Sequence, residues 1–184
     1  ELSEGTPHIS DVNAVPSYIG QGNHLYSTSQ LARYVTALAT SGTVYNLSLL
    51  DKVTDSQGQT LETYEPSVDS EMSDVPENVW ADIHDGMQRV VQTHAEFSSL
   101  GVSLAGKTGT AEIDYTQPNH GLFIGYAPAD DPQYAVAVRI PNSFSSGNAC
   151  TTANDIIEYI FNLADEDEIL SGYASTDVSN TSND

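Results

Sequence analysis

Three short strand-like runs in the second half of the chain limit its possible folds more than any other feature of the sequence. They span residues 102–113, 120–126 and 134–140 and are rich in apolar, β-branched and aromatic residues. The last two runs are joined by the turn-forming segment 127–132, which contains two prolines. Parallel neighbours need a crossover of about a dozen residues or more, so this pair is expected to be antiparallel.

Three patterns of apolar residues with helical spacing surround these runs, at about residues 28–41, 76–92 and 151–163. A hydroxyl residue can cap the first helix, Gly42 can end it, and Pro76 can occupy the first turn of the second. Each pattern places its apolar residues on one side, which is typical of a helix packed on a core.

Two β-prone runs lie between the first two helices, at residues 47–53 and 61–64. They flank the turn-rich segment 55–58 and predict a hairpin. Residues 65–75 are polar and are expected to be irregular. The order of helix, hairpin, helix, three strands and helix predicts an α+β fold with helices packed on an antiparallel sheet.

The chain is strongly acidic, with 26 Asp and Glu residues against five Lys and Arg and a formal charge of −21. It lacks the cations that phosphate binding requires, so no nucleic acid partner is expected.

Cys150 has no partner at a metal-binding spacing, and we expect no metal and no cofactor. No apolar run approaches the length of a membrane span, about 18 residues. Residues 1–163 are predicted to fold, and residues 164–184 to form a poorly ordered acidic tail.

The sharpest chemical signal is Lys107-Thr108-Gly109-Thr110 in the first strand-like run. Strand alternation would place the two hydroxyls on one face, and the glycine would let a ligand backbone approach. The lysine adds a positive charge, so the motif suits the carboxylate end of a substrate. Small polar triplets also occur by chance in ordinary edge strands, so the motif alone leaves both interpretations open.

Four sequence blocks, of which this motif is part, follow one another in a characteristic order. They are Ile-Gly-Gln-Gly at residues 19–22, Gln-Leu-Ala at 30–32, Ala-Gly-Lys-Thr-Gly-Thr-Ala-Glu at 105–112, and Phe-x-Gly-Tyr-Ala-Pro at 123–128 followed by Asp131-Pro132. In these blocks and their order, residues 14–163 resemble the transpeptidase domain of class B penicillin-binding proteins. Lys-Thr-Gly is also a known signature of penicillin-binding proteins and β-lactamases.

The resemblance implies a penicilloyl-transferase-like (serine β-lactamase/D,D-peptidase-like) fold, in which helices flank a five-stranded antiparallel sheet and the Lys-Thr-Gly strand borders the cleft. It implies acyl transfer from the D-Ala-D-Ala end of a peptidoglycan stem peptide, through a serine that β-lactams also acylate. Lys107 would supply the positive side of the cleft, and Thr108 and Thr110 would bind the substrate carboxylate. The backbone N–H of Thr110 would form half of an oxyanion hole. The implied location is the extracytoplasmic face of a bacterial membrane, with the anchor outside this chain.

The serine nucleophile of the family is missing from this sequence. Its Ser-x-x-Lys motif needs a serine three residues before a lysine, but Leu49 precedes Lys52 and Leu104 precedes Lys107 at that spacing. A Ser-x-Asn pattern at residues 146–148 follows the Lys-Thr-Gly strand, whereas the family places it before, so we interpret it as a loop. The chain is therefore predicted to be inactive alone and to need a second fragment that carries both motifs.

Gln21 and His120 are weaker candidates for substrate contact. Gln21 lies between two glycines, where shaping a tight turn is the alternative role. His120 begins a predicted strand and could line the cleft rim, with a structural contact as the alternative. Two other functions stay open, a non-catalytic module that binds wall peptide or a protein partner, and a β-lactamase. The blocks at 19–22 and 123–128 favour the transpeptidase over the β-lactamase.

Overall fold

The computed structural model describes residue 20, residues 26–112 and residues 116–171 of the 184-residue chain. The described elements are α1 (Thr28–Ala39), β1 (Thr43–Tyr45), β2 (Lys52–Thr54), β3 (Thr60–Thr63), β4 (Val68–Glu71), α2 (Glu77–Gln92), a 3-10 turn (Ala95–Phe97), β5 (Ala105–Ala111), β6 (His120–Ala127), β7 (Tyr134–Ile140), α3 (Gly147–Ile160) and α4 (Glu166–Ile169).

Helix α1 begins at a hydroxyl cap, as predicted. The Ser27 Oγ accepts a hydrogen bond from the backbone N–H of Gln30 at 3.2 Å, and the Gln30 Oε1 accepts one from the Ser27 N–H at 2.8 Å. This reciprocal pair satisfies two N–H groups at the helix start. At the other end, Gly42 has a φ of 110° and donates its N–H to the Ala37 carbonyl at 2.7 Å. The first helix and its end are therefore confirmed.

The three strand-like runs form one antiparallel sheet in the order β5-β6-β7. Lys107 lies opposite Ile124, and Leu122 lies opposite Arg139. The antiparallel pairing expected from the short connection is confirmed. Within the described residues this sheet has three strands, where the resemblance implies five, and β5 and β7 are its two edges.

Helices cover both faces of the sheet because apolar side chains alternate along its strands. On one face, Tyr126 packs with Val35 of α1 and Met87 of α2. On the other face, Phe123 packs with Ile157 of α3. Phe123 and Tyr126 are both fully buried, and their positions in β6 place them on opposite faces. The described residues thus form helix, sheet and helix layers, which confirms the predicted α+β architecture.

Residues 65–75 contain a strand that sequence patterning missed. Strand β4 pairs antiparallel with β1, and Thr43 lies opposite Glu71. The expectation of irregular structure was wrong because β4 is the polar run Val-Asp-Ser-Glu, which has no apolar alternation to reveal it. The predicted hairpin is confirmed by the pairing of β2 with β3, although β2 is shorter than expected and β3 begins one residue earlier.

The end of the chain also differs from expectation. Helix α3 begins at Gly147 rather than near Thr151. The Ser145 Oγ accepts a hydrogen bond from the Gly147 N–H at 3.0 Å, which supports a first turn made of Gly147 and Asn148, two residues of low helix propensity. The predicted tail includes the short helix α4, and residues 172–184 lie outside the described residues. No helix in the described ranges is long and apolar enough to cross a membrane.

Candidate active-site strand

The Lys107–Thr110 motif lies within β5, at an edge of the central sheet. In the described residues β5 pairs with β6 on one side only. Alternate backbone N–H and C=O groups of such an edge strand face away from its partner and can bind an extended peptide. An edge position therefore gives the motif access to a ligand that a central strand would lack.

The pairing of β5 with β6 shows which side chains of the motif lie on each face of the sheet. Lys107 lies opposite Ile124 and so points to the face that α1 and α2 cover. Thr108 lies opposite Phe123 and points to the face of α3, and Thr110 follows two residues later on that same side. The lysine and the two hydroxyls thus reach a ligand at the strand edge from opposite sides of the sheet.

Lys107 is exposed, and its ammonium group donates a hydrogen bond to the neighbouring Thr108 carbonyl at 2.8 Å. In the part of the chain that the structure describes, no carboxylate lies within ion-pair distance of it. By contrast, Arg33 pairs with Asp69 at 2.8 Å, and Arg89 pairs with Asp85 at 2.8 Å. In a chain with a formal charge of −21, a lysine without a carboxylate partner is available to an anionic ligand.

Two glycines beside the motif are required by packing. Gly106 and Gly125 lie opposite each other, and the Phe123 ring covers both. A Cβ atom at Gly106 would overlap this ring and lie 2.9 Å from the Ile124 carbonyl oxygen, and one at Gly125 would lie 2.8 Å from the ring. The close approach holds β5 against β6 and thereby positions Lys107.

Gly109, inside the motif, has a different environment. A Cβ atom there would lie 3.4 Å from the Leu122 Cβ, which is ordinary van der Waals contact. Packing therefore does not require a glycine at this position. Space for a close-approaching ligand backbone gives a physical reason for it.

His120 has a structural contact in this fold. Its side chain is buried, and its Nδ1 accepts a hydrogen bond from the Asn142 N–H at 3.1 Å. Burial, and then the nearby charge of Arg139, lower the pKa of His120 below its ordinary value, so the ring is neutral at pH 7. It lies opposite Ala111, four residues beyond Lys107, or about 13 Å along the strand. These contacts match a structural role at the start of the strand, which was the alternative to a position at the cleft rim.

The other weak candidate, Gln21, lies outside the described residues. The preceding Gly20 has a φ of 79°, which residues other than glycine adopt only rarely. The positive φ at Gly20 is a backbone conformation that tight turns use.

The Ser-x-Asn pattern at residues 146–148 belongs to the start of α3. Ser146 is fully buried, and the Asn148 side chain donates a hydrogen bond to the Ser143 carbonyl at 2.8 Å. A Cβ atom at Gly121 would collide with Ser143 and Ser145, so this loop packs directly on β6. Residues 146–148 therefore help to join α3 to the sheet. The sequence pattern alone indicates only a loop there.

A polar contact on the face of the sheet that α1 and α2 cover was missed entirely. The buried Tyr126 hydroxyl lies 2.8 Å from the His84 Nδ1, and the His84 Nε2 lies 3.4 Å from the Ser41 Oγ. Burial raises the pKa of Tyr126, so its hydroxyl stays protonated at neutral pH. Residues 84 and 126 are far apart in sequence, and no local pattern could have indicated this contact.

The described residues offer binding groups but no complete catalytic set. They supply an ammonium group, two hydroxyls and an open strand edge, which suit the carboxylate of an extended peptide. Among them, no cluster of three His, Cys, Asp or Glu side chains could hold a metal ion. Neither lysine is preceded at the required spacing by a serine that it could activate.

Comparison with known proteins gives one consistent family. The penicillin binding protein transpeptidase domain matches residues 3–160. Peptidoglycan D,D-transpeptidase MrdA of Haemophilus influenzae is 28% identical over 165 residues, covering 78% of this chain and 25% of the relative. This chain therefore spans about a quarter of that protein's length.

Solved structures agree with this match. Penicillin-binding protein A from M. tuberculosis, as an imipenem acyl-enzyme complex, has a TM-score of 0.67 and 26% identity, over 78% of this chain and 32% of that one. Pseudomonas aeruginosa PBP2, in complex with WCK 5153, has a TM-score of 0.61 and 30% identity, over 86% of this chain and 33% of that one.

Proposed function

Because this chain belongs to the penicillin-binding protein transpeptidase domain family, we propose that it forms the Lys-Thr-Gly-Thr wall of a peptidoglycan D,D-transpeptidase active site. The observation that carries the proposal is Lys107, an exposed lysine without a carboxylate partner in the described ranges, on an edge strand of a strongly acidic chain. The substrate end that this wall would bind is the carboxylate of D-Ala-D-Ala.

The proposed reaction is acyl transfer in two steps. A serine supplied from outside this chain attacks the carbonyl carbon between the two D-alanines, forms an ester and releases the terminal D-alanine. An amine of a neighbouring stem peptide then attacks the ester, forms the cross-link and frees the serine. β-Lactams acylate the same serine through their strained amide.

Each motif residue has a distinct part in this proposal. Lys107 keeps the cleft positive, and the hydroxyls of Thr108 and Thr110 hold the substrate carboxylate. The Thr110 N–H donates to the oxyanion of the tetrahedral intermediate, together with the N–H of the serine itself. One such donor is worth about 3–4 kcal/mol of the activation barrier. Gln21 is proposed as a further contact at the rim, whereas the burial of His120 and its bond to the Asn142 N–H favour a structural role for that residue.

The missing nucleophile makes the proposed enzyme larger than this chain. The parent protein, or a second fragment, would carry Ser-x-x-Lys and Ser-x-Asn, and the assembly would act on the extracytoplasmic face of a bacterial membrane. Strand β7 pairs with β6 alone in the described residues, and its other edge is where further strands of the domain could pair while the β5 edge stays accessible to substrate.

Labelling with a fluorescent penicillin tests this proposal. The 184-residue chain alone should take no covalent label, and the parent protein should be labelled on a serine outside it. In the parent, Lys107→Ala should slow acylation about 10- to 150-fold, because a hydrogen bond to a charged group is worth about 1.5–3 kcal/mol. Arg89→Ala removes another exposed cation and should leave the rate unchanged. Label on this chain, or equal rates for Lys107→Ala and the unmodified parent, would refute the assignment.

The absence of Ser-x-x-Lys also favours a second candidate, a non-catalytic module that binds wall peptide or a protein partner. Calorimetry with a stem peptide ending in D-Ala-D-Ala would identify it. Peptide binding that Lys107→Ala abolishes, in a parent that penicillin never labels, supports the module instead of the enzyme.

A further inference from the structure

The proposed reaction does not use residues 46–65, an almost wholly exposed segment that we call the projecting arm. It consists of the loop after β1 and the β2–β3 hairpin. Leu49 is fully exposed, Leu61 is 67% exposed and Leu47 is 59% exposed. Leu50, Val53 and Tyr64 are also exposed. Such a concentration of exposed apolar side chains marks an interaction surface.

The hairpin of this arm has little support from the rest of the fold. Strands β2 and β3 pair with each other, outside the central sheet, and are exposed at every position. An isolated two-stranded hairpin is marginally stable in water. A partner that covers the arm would remove its apolar side chains from water and stabilise the hairpin.

The charge of the arm limits the chemistry of that partner. It carries Asp51, Asp55, Glu62 and Glu65 against the single Lys52. A second copy of this chain is a poor partner, because each copy has a formal charge of −21. The complementary surface is apolar at its centre and bears lysine and arginine at its edge.

We propose that the projecting arm docks on such a basic, apolar protein surface in the part of the parent polypeptide that lies outside this chain. This rests on the proposed function, in which a longer protein completes the enzyme. The chain covers only 25% of the relative MrdA, so a parent of similar length has ample chain to form this surface. A tethered surface also has an effective concentration of the order of millimolar, so modest intrinsic affinity suffices.

Thiol accessibility tests the docking directly. Leu49→Cys places a reporter on the arm, and Ser99→Cys places a control at an exposed position of the turn after α2. The native Cys150 is fully buried, so its background reaction is slow. Alkylation by a maleimide is followed by mass spectrometry in the 184-residue chain and in the parent protein.

In the isolated chain, both thiols should react at similar rates at every protein concentration. In the parent, position 49 should react about tenfold more slowly, as expected when roughly nine molecules in ten are docked. Position 99 should be unaffected. Adding Leu61→Asp to the parent with Leu49→Cys should restore the rapid reaction, because it places a charge in the apolar interface.

Three results would overturn the proposal. They are equal reactivity of position 49 in the chain and the parent, protection that grows with the concentration of the isolated chain, and protection that Leu61→Asp does not change. Penicillin labelling of the same parent samples separates this outcome from failure of the proposed function. A labelled parent with a reactive position 49 refutes only the docking.

Discussion

Replacing Gly106 by alanine should destabilise the fold through one identifiable contact. The new methyl group would overlap the Phe123 ring and lie 2.9 Å from the Ile124 carbonyl oxygen. The carbonyl belongs to the paired strand and cannot move without displacing β6. Overpacking of this kind costs about 1–3 kcal/mol, and we expect the upper end of that range. An alanine in a strand would otherwise be favoured over glycine by about 0.5–1 kcal/mol.

Gly109→Ala is the matched control, three residues along the same strand. Its methyl group would make ordinary contact with Leu122, 3.4 Å from the Leu122 Cβ. The free energy of unfolding should therefore stay the same or rise by up to about 1 kcal/mol. The free energies of unfolding of the two variants should thus differ by about 2–4 kcal/mol. Gly109→Ala should instead weaken ligand binding, because it fills the approach to the strand edge.

A double-mutant cycle with Phe123→Ala isolates the ring contact. Phe123→Ala alone should cost about 3–5 kcal/mol. With Gly106→Ala present, the methyl group no longer meets the ring, so the combined loss should fall short of the sum by about 1–2 kcal/mol. The Ile124 carbonyl still opposes the methyl group, so the rescue is partial.

Urea unfolding, followed through the fluorescence of Trp80, measures all four free energies. Trp80 is the single tryptophan and is buried on α2, so its emission reports loss of the core. The reasoning is refuted if Gly106→Ala and Gly109→Ala change stability equally. It is also refuted if the losses from Gly106→Ala and Phe123→Ala add within about 0.5 kcal/mol.

Two further predictions concern charge. Because burial and Arg139 lower the pKa of His120, the unfolded chain binds more protons than the folded chain below the ordinary value of 6.5. The free energy of unfolding, measured with urea, should therefore fall as the pH drops below about 6.5. His120→Asn keeps a hydrogen-bond acceptor and should make the free energy of unfolding less dependent on pH in this range. The same pH dependence in the variant and the unmodified chain would contradict this prediction. Raising NaCl from about 0.1 to 1 M shortens the screening length from about 10 to 3 Å and should stabilise a chain of charge −21 against heat. Combining Glu65→Gln, Asp74→Asn and Asp82→Asn should reduce the salt dependence, and an equal dependence in both proteins would argue against repulsion as its cause.

The elements that the sequence predicted correctly are those whose signals are local. The Ser27 cap and the apolar stripe of α1 lie within one helix, and the turn at residues 55–58 lies within one hairpin. Strand β4 was missed because it is held by pairing with β1, whose partner residue Thr43 lies 28 positions from Glu71. Its own residues have no apolar period, so only the partner makes it a strand.

The sequence by itself determined which residues are candidates for the site. Lys107, Thr108 and Thr110 place a cation and two hydroxyls in one strand-like run, and the order of the four sequence blocks gave this motif the roles that the family resemblance implies. The absence of a serine at the required spacing before either lysine is likewise a property of the sequence alone.

Only the tertiary structure decided where each residue of the strand lies and what it contacts. It placed β5 at an edge, left Lys107 without a carboxylate partner in the described ranges, and buried His120 against the Asn142 backbone. It also showed that packing against the Phe123 ring requires a glycine at position 106, whereas packing does not require a glycine at position 109. These distinctions depend on contacts between residues far apart in sequence, and no local pattern contains them.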